Sequence, residues 1–382
     1  EVETALGVET SRVYTVRQQG STARIEAVSP GVVWTDPSNI LTETTIVGGA
    51  GEFSARTAAV FRPDGTATLY SYDRDSSGSL TVVTDNGVYD MGAGTVVDGT
   101  RNIRQTDSFG NLLGETTEDI VSSEILSLTT VLETDADGRP TLIGFLDGTT
   151  ESRTYTGLDC GCGPDKLETE VDRRGIATGY TYDGLGRKKT QTRLGITEEY
   201  FYDGSGRIIR VEQTAGGSTR TVGETKYDLA GRIKERESPG PRTDGVLLLT
   251  SYDYDFPSGG GETETVTNPD GSTSLRTSYR DGSTMRTGGT AGSGQRFEYR
   301  AETGAFVTRT ILLDSAGADT AEWTEEWRVM GRVDKRVYGD QAEEQFFYDA
   351  IGRLDATVDP DGVTVLYGYN EKGEQYQQAV DM

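Results

Sequence analysis

Histidine is missing from all 382 residues. That removes the commonest general base and the commonest metal ligand, and with them every Ser-His or Cys-His arrangement. Chemistry by carboxylates alone stays open. Cysteine is reduced to Cys160 and Cys162, within "LDCGCGPD". Zinc asks for more thiols or imidazoles than this, and a disulfide between residues two apart is strained. The stretch reads as two free thiols in a Gly-rich turn; a redox or metal role and a bond to another segment or chain are the alternatives. Proline is sparse at 10, no apolar run approaches eighteen residues, and mean hydropathy is −0.53. No transmembrane helix is expected, and no signal peptide is recognised. The chain opens at Glu1 and stops just past a motif copy, so it reads as a piece of something longer. Basic residues are few, 37 against 62 acidic, for a net charge of −25. Nucleic acid and anionic membrane surfaces are therefore disfavoured as partners, since both need a basic face.

What is abundant is glycine, at 50, and tyrosine, at 19. They recur in order. "GYTYDGLGRKKTQTR" begins at 179, "EYFYDGSGRIIRVEQ" at 199, "ETKYDLAGRIKERES" at 224 and "QFFYDAIGRLDATVD" at 345. The shared core is Tyr-Asp-x-x-Gly-Arg: Tyr182, Asp183, Gly186, Arg187; Tyr202, Asp203, Gly206, Arg207; Tyr227, Asp228, Gly231, Arg232; Tyr348, Asp349, Gly352, Arg353. Asp first and Gly fourth is the preference of a type I turn, with the Asp side chain accepting backbone N–H groups inside it. Gly tolerates φ > 0 and finishes a three-residue hairpin loop with a bulge. The Arg then opens the outgoing strand, placed to pair with the motif Asp or to cross to a neighbouring hairpin; binding of an anionic sugar or cargo by the repeated Arg is the alternative. Flanks such as "TGYTY", "EEYFY" and "KTQTR" favour strands, and helical i, i+3, i+4 spacing is hard to find anywhere. Each unit reads as a β-hairpin of about twenty residues.

Looser copies extend the series. "TDSFGNL" keeps Asp107 and Gly110, "TDADGRP" keeps Asp135 and Gly138, and "LDSAGAD" keeps Asp314 and Gly317. "WRVMGRV" keeps Gly331 and Arg332 with Trp327 in the Tyr place, and "YNEKGEQ" keeps Tyr369 and Gly373. An upstream half also repeats: Gly175 before Tyr180 and Tyr182, Gly362 before Tyr367 and Tyr369, Gly65 before Tyr70 and Tyr72. Paired tyrosines at i and i+2 share one strand face and would stack against their equivalents in the next hairpin.

On these residues the chain resembles the RHS/YD-repeat family, which includes bacterial polymorphic-toxin cores, Tc-toxin cocoon subunits and teneurin shells. The resemblance is strict over 172–236 and 345–375, loose back to about residue 60, and slight in 1–60 and 240–310. It implies an all-β fold, in which tandem YD hairpins form a spiralling β-sheet shell, complete or partial. Each hairpin pairs with the next, so the sheet leaves few edges. Toxin-bearing members end in a segment with a "DPxGxxGG"-like stretch and a self-cleavage site. "DPDGVTVLYG" at 359–368 shares only its opening letters and reads as a repeat turn. The implied role is a container for a cargo or toxin polypeptide encoded outside this chain, or a carrier working with neighbouring domains of the same longer chain. The alternative is an extracellular adhesion module for a surface glycan or protein; a carbohydrate-active enzyme is a third reading. Either of the first two places the chain outside the cell, secreted or at the cell surface.

Along the chain, 1–60 reads as a β region without the signature and 61–382 as the repeat sheet. Residues 255–300 hold Gly/Ser/Thr-rich stretches that read as long hairpin loops within one sheet, with flexible linkers as the alternative. "SAGADTAEWTEEWRVMGR" is the best helix candidate, but Trp323 and Trp327 sit where strand repeats would place them too. "YDRDSSGSLTVVTD" at 72–85 has the opening of a calcium loop, with Asp73, Asp75 and Ser77 at positions 1, 3 and 5. Position 12 is Thr84 where a bidentate Glu belongs, so an enlarged hairpin turn is the competing reading. No pair of the 62 acidic residues stands out for glycoside hydrolysis. No catalytic residue and no cofactor are expected.

Overall fold

The computed structural model describes residues 1–156, 166–240, 247–257, 261–370 and 373–381. Among these residues there is no helix. The described residues form thirty-one strands in a single antiparallel sheet, in agreement with the hairpin reading of the repeats. Cys160 and Cys162 lie outside the described residues.

The strict block shows why the sequence folds this way. Strands β14 (Ala177–Tyr182) and β15 (Lys188–Arg193), β16 (Ile196–Tyr202) and β17 (Ile208–Ala215), and β18 (Ser218–Tyr227) and β19 (Ile233–Pro239) are three successive hairpins. Their turns are the three motif copies. In each the Gly N–H donates to the Asp carbonyl, at 2.9 Å for Gly186 and 3.0 Å for Gly206 and Gly231. The glycines sit at φ +74°, +84° and +89°, which is open to Gly at little cost. Register slips by one residue just before the tyrosine in every case, between Thr181/Tyr182, Phe201/Tyr202 and Lys226/Tyr227. That slip is the bulge the turn chemistry calls for.

The chain forms two units, one of residues 1–128, 297–312 and 319–382, the other of residues 129–296 and 313–318. In the second unit Ile143 and Leu313 are the buried hydrophobic side chains among the described residues, alongside buried Thr156 and Thr178. Cohesion there comes from polar side chains. Hydroxyl pairs cross the strands at Thr181–Thr190 (2.7 Å), Thr192–Thr197 (2.9 Å) and Thr214–Thr219 (2.7 Å), the kind of cross-strand contact that stabilises a half-exposed sheet. The Gly/Ser/Thr-rich stretch carries β21 (Thr263–Thr267), β22 (Thr273–Ser278) and β23 (Thr284–Gly288), so its described part is sheet with turns, not linker.

The first unit buries more, including Ile25, Ala27, Ala59, Ala67, Val307 and Ile311. The helix candidate lies largely in this unit and is instead a strand, β26 (Asp319–Val329), paired with β27 (Arg332–Tyr338). Trp323, Glu325 and Trp327 alternate with Glu322, Thr324 and Glu326, a period of two. The Gly317 and Gly331 turns bound the strand as they do the other repeats. Glu325 is buried because Arg300 holds both its oxygens at 2.7 Å; the arginine keeps its carboxyl below the ordinary range.

This unit also folds back on its own beginning. Gly331 backs onto the Thr10 carbonyl of β2 (Val8–Gln18); a Cβ there would lie 3.6 Å from it. Gly352, between β28 (Glu343–Tyr348) and β29 (Leu354–Val358), faces Ile40 at the start of β4 (Ile40–Ile46). Gly373, between β30 (Thr364–Tyr369) and β31 (Gln375–Asp381), faces Asp64. Arg332 donates to Glu26, at the end of β3 (Ser21–Glu26), at 3.0 Å across 306 positions.

Candidate functional site

The repeated feature is a joint between hairpins. Within one copy the Asp183 carboxylate is used completely. Its Oδ1 accepts the backbone N–H groups of Leu185 and Arg187, both at 2.9 Å. Its Oδ2 accepts the Arg187 guanidinium, from Nε and Nη2 at 2.7 Å. Asp203 with Arg207 and Asp228 with Arg232 repeat this arrangement to within a tenth of an ångström, and Asp349 with Arg353 repeats it with a longer first turn bond, 3.1 Å from the Ile351 N–H. Two donors of one rigid guanidinium converge on Oδ2 while Oδ1 serves the turn, a geometry that a lysine ammonium does not reproduce. The Asp203 carboxyl is held below its ordinary range, first by the Arg207 backbone N–H and, against the opposing effect of burial, by its guanidinium.

The arginine then reaches forward. The Arg187 guanidinium lies 4.4 Å from the ring centroid of Tyr202, the tyrosine of the next copy. Arg207 covers Tyr227 at 4.3 Å and Arg353 covers Tyr369 at 4.5 Å. The tyrosine hydroxyl closes the joint by donating to the carbonyl of the residue after the previous arginine: Tyr202 to Lys188 at 2.6 Å, Tyr227 to Ile208 at 3.2 Å, Tyr369 to Leu354 at 2.8 Å. Turn, ring and carbonyl from two hairpins are thus tied in one loop. Partial burial pushes the Tyr202 hydroxyl's pKa up, and Tyr200, half-buried and donating to Glu198 at 2.8 Å, is pushed to about 12.

Tyrosines of neighbouring hairpins are two strands apart, roughly 10 Å, too far for direct stacking. Cations fill the gap instead. Lys188 Nζ lies 6.0 Å from the Tyr180 ring and 4.6 Å from the Tyr200 ring.

Several joints are only partly legible in the sequence. The loose copy at Asp135 is complete: Oδ2 accepts Arg139 Nε at 2.6 Å, Arg139 covers Tyr155 at 4.7 Å, and Tyr155 donates to the Pro140 carbonyl at 3.1 Å. Arg232 covers Tyr254 at 4.2 Å, within the stretch where the signature is slight; the Tyr252-x-Tyr254 spacing was the available signal. Where Ala318 replaces the arginine, Arg286 from another hairpin donates to the Gly317 carbonyl at 3.0 Å. Where the aspartate place is held by Arg328, Arg332 pairs with Glu26.

The calcium-like stretch is a capped turn. Asp75 Oδ1 accepts the N–H groups of Ser77 at 2.8 Å and Ser79 at 2.9 Å and the Ser77 hydroxyl at 2.6 Å. Asp73 lies on β6 (Thr66–Arg74), opposite Thr81. Asp75 is consumed by the turn and Asp73 by the strand, so they do not converge on one point. The described residues include no group of three or more acidic, Cys or His side chains placed to hold a metal ion, and no helix long and apolar enough to cross a membrane.

No family model and no curated protein matches the chain. Solved structures of the toxin complex proteins TcdB2 and TccC3 are similar over most of its length. The TcdB2-TccC3-Cdc42 crystal structure aligns over 94% of this chain and 26% of that one, at 11% identity and a TM-score of 0.26. The TcdB2-TccC3 crystal structure aligns over 100% and 28%, at 11% identity and 0.25. A Photorhabdus luminescens Tc holotoxin pore aligns over 94% and 19%, at 11% identity and 0.22. The chain spans about a quarter or less of the length of these structures.

Proposed function

We propose that this chain is a non-catalytic wall segment of the RHS/YD-repeat type, which encloses or carries a polypeptide cargo supplied by neighbouring domains of a longer chain. The observation behind this reading is the joint itself. A side-chain loop ties each hairpin of the strict block to the next, at Arg187–Tyr202 and Arg207–Tyr227. Such a sheet resists separation along its strands without a thick apolar core. Copying one Asp-Arg-Tyr constellation many times serves mechanical continuity; a catalytic group needs one copy. The return of the first unit's turns onto its opening strands supports curvature. A wall of this kind would shield an unfolded or inactive cargo from proteases and partners. In that role the protein is secreted or displayed at the cell surface.

The test is a low-resolution envelope of the protein in solution, from scattering and single-particle images. A curved sheet around a solvent-filled interior supports the wall. A solid rod or a filled disc excludes it.

A further inference from the structure

The turn at 314–317, in the second unit, departs from the repeated joint. Asp314 follows β25 (Ala305–Leu313), and its Oδ1 accepts the N–H groups of Ala316 at 2.9 Å and Ala318 at 2.8 Å. The arginine that would take Oδ2 is replaced by Ala318, and no donor among the described residues reaches that oxygen. Beside the same turn Arg286, on β23, makes one hydrogen bond, to the Gly317 carbonyl at 3.0 Å. Among the described residues it has neither a carboxylate within ion-pair distance nor a ring beneath it. Arg296, directly opposite on β24 (Gln295–Glu302), adds a second cation across the ladder, a like-charge pairing that costs stability.

Between this turn and the β23–β24 connection lies a cavity of about 620 Å3, lined by Arg286, Thr290, Ser293, Gly294, Leu313 and Asp314 among others. That volume is within the usual span of ligand sites. Its Gly-rich wall is anchored at both ends. Gly289 takes φ +109°, and a Cβ there would lie 2.1 Å from the Thr273 carbonyl oxygen. The same oxygen accepts the Ala291 N–H at 2.9 Å. The Thr273 N–H donates to the Thr290 hydroxyl at 2.8 Å, and the Thr290 N–H to the Thr273 hydroxyl at 3.2 Å. At the other end the Leu313 N–H donates to the Gly294 carbonyl at 2.9 Å. Between these anchors the N–H groups of Gly292 and Ser293 have no acceptor among the described residues. The cavity thus presents a guanidinium and open N–H groups together with one open carboxylate oxygen, and none of its lining residues is aromatic.

We propose that this cavity binds an acidic sugar residue, with its carboxylate on Arg286 and the Gly292 and Ser293 N–H groups and a ring hydroxyl donating to Asp314 Oδ2. The choice follows from what each group lacks. An uncharged sugar would leave Arg286 without a counter-ion, whereas a carboxylate matches the guanidinium fork. A bare inorganic anion would fill little of the space and would meet the Asp314 charge with no proton to share. An apolar or planar ligand finds no ring to stack on. A hydroxylated carboxylate satisfies both the donors and the open oxygen. The inference rests on this cavity alone and is independent of cargo enclosure.

The probes are sodium D-glucuronate, D-glucose and sodium sulfate, each titrated into the full chain at constant ionic strength and followed by ligand-observed NMR. Glucuronate should bind saturably in the millimolar range, and glucose roughly tenfold or more weaker, because it cannot pair with Arg286. Arg286→Gln keeps a donor for the Gly317 carbonyl and should weaken glucuronate by about tenfold or more. Asp314→Asn keeps Oδ1 for the turn and removes the charge. It should lower the preference for glucuronate over sulfate by roughly fivefold, since the hydroxyl loses its acceptor while both anions lose the same repulsion. The proposal is overturned if glucuronate shows no saturable binding at tens of millimolar, or if glucose binds as tightly. It is equally overturned by a glucuronate affinity that Arg286→Gln leaves unchanged, or by a glucuronate-to-sulfate preference that Asp314→Asn leaves unchanged.

Discussion

The Tyr202 hydroxyl donates to the carbonyl of Lys188 at 2.6 Å while the ring carries the Arg187 guanidinium at 4.4 Å. One side chain thus holds both the backbone and the charged arm of the preceding hairpin. Removing its two functions separately should give two sizes of effect. Tyr202→Phe keeps the ring and loses the hydroxyl bond, about 1 kcal/mol. Tyr202→Ala loses ring packing as well, and on a half-buried site should cost about 2 kcal/mol, below the range for a fully buried aromatic. Denaturant unfolding with both variants checks the order.

Gly231 is fixed by conformation and by space. Its φ is +89°, and a Cβ would approach Arg207 Nη1 to 2.9 Å. Gly231→Ala should cost about 1–2 kcal/mol from the left-handed backbone alone. Gly184→Ala, in the motif turn two hairpins earlier with nothing within 4 Å, should cost less than about 0.5 kcal/mol. Thermal melts of the two variants make the comparison.

The glycine pair at Gly87 and Gly99, which face each other across β7 (Leu80–Asp90) and β8 (Thr95–Thr106), is stricter. With backbone oxygens 2.0 and 2.1 Å from the positions a Cβ would take, neither strand can yield without breaking the ladder. Either alanine variant should cost about 3 kcal/mol, at the upper end for overpacking. Faster amide exchange confined to β6–β8 would identify the site of damage.

Stability should fall at both ends of the pH scale, for opposite reasons. Burial raises the pKa of Tyr202, and burial with the Glu198 bond raises that of Tyr200 to about 12. A group raised in the folded state supports folding below its unfolded value near 10, and that support is lost as pH rises toward 12. Asp203 and Asp228 are lowered, first by the backbone N–H groups of Arg207 and Arg232. Their support is present above about pH 4 and is lost as pH falls through their folded values. A pH series of melts should show a plateau between, and Tyr200→Phe should weaken the alkaline loss.

The hairpins were legible because turn chemistry is local. Asp183, Gly186 and the bulge before Tyr182 follow from residues within six positions of one another. That an arginine opening a strand can cross to the neighbouring hairpin was legible too; that Arg187 lands on the Tyr202 ring was not, since it depends on which strand lies two places along the sheet. The same holds for Glu26 and Arg332, which no spacing rule connects. Tyr254 was not legible because no Gly-Arg follows it at the motif spacing, although its partner Arg232 belongs to a strict copy. The helix expected around Trp323 failed because acidic residues and alanine raise helix propensity locally, while pairing with β27 decides the outcome. Asp73 and Asp75 do not act together because Asp73 sits in the β6 ladder opposite Thr81 while Asp75 Oδ1 is taken up by the Ser77 and Ser79 N–H groups of the turn.

The claim that hairpins are joined through the arginine–tyrosine contact is tested most directly by a double-mutant cycle on Arg187 and Tyr202. Unfolding free energies of Arg187→Ala, Tyr202→Ala and the double variant should leave a favourable coupling of about 0.5–1 kcal/mol. Effects that add to within about 0.3 kcal/mol would show two independent side chains and would contradict the joint.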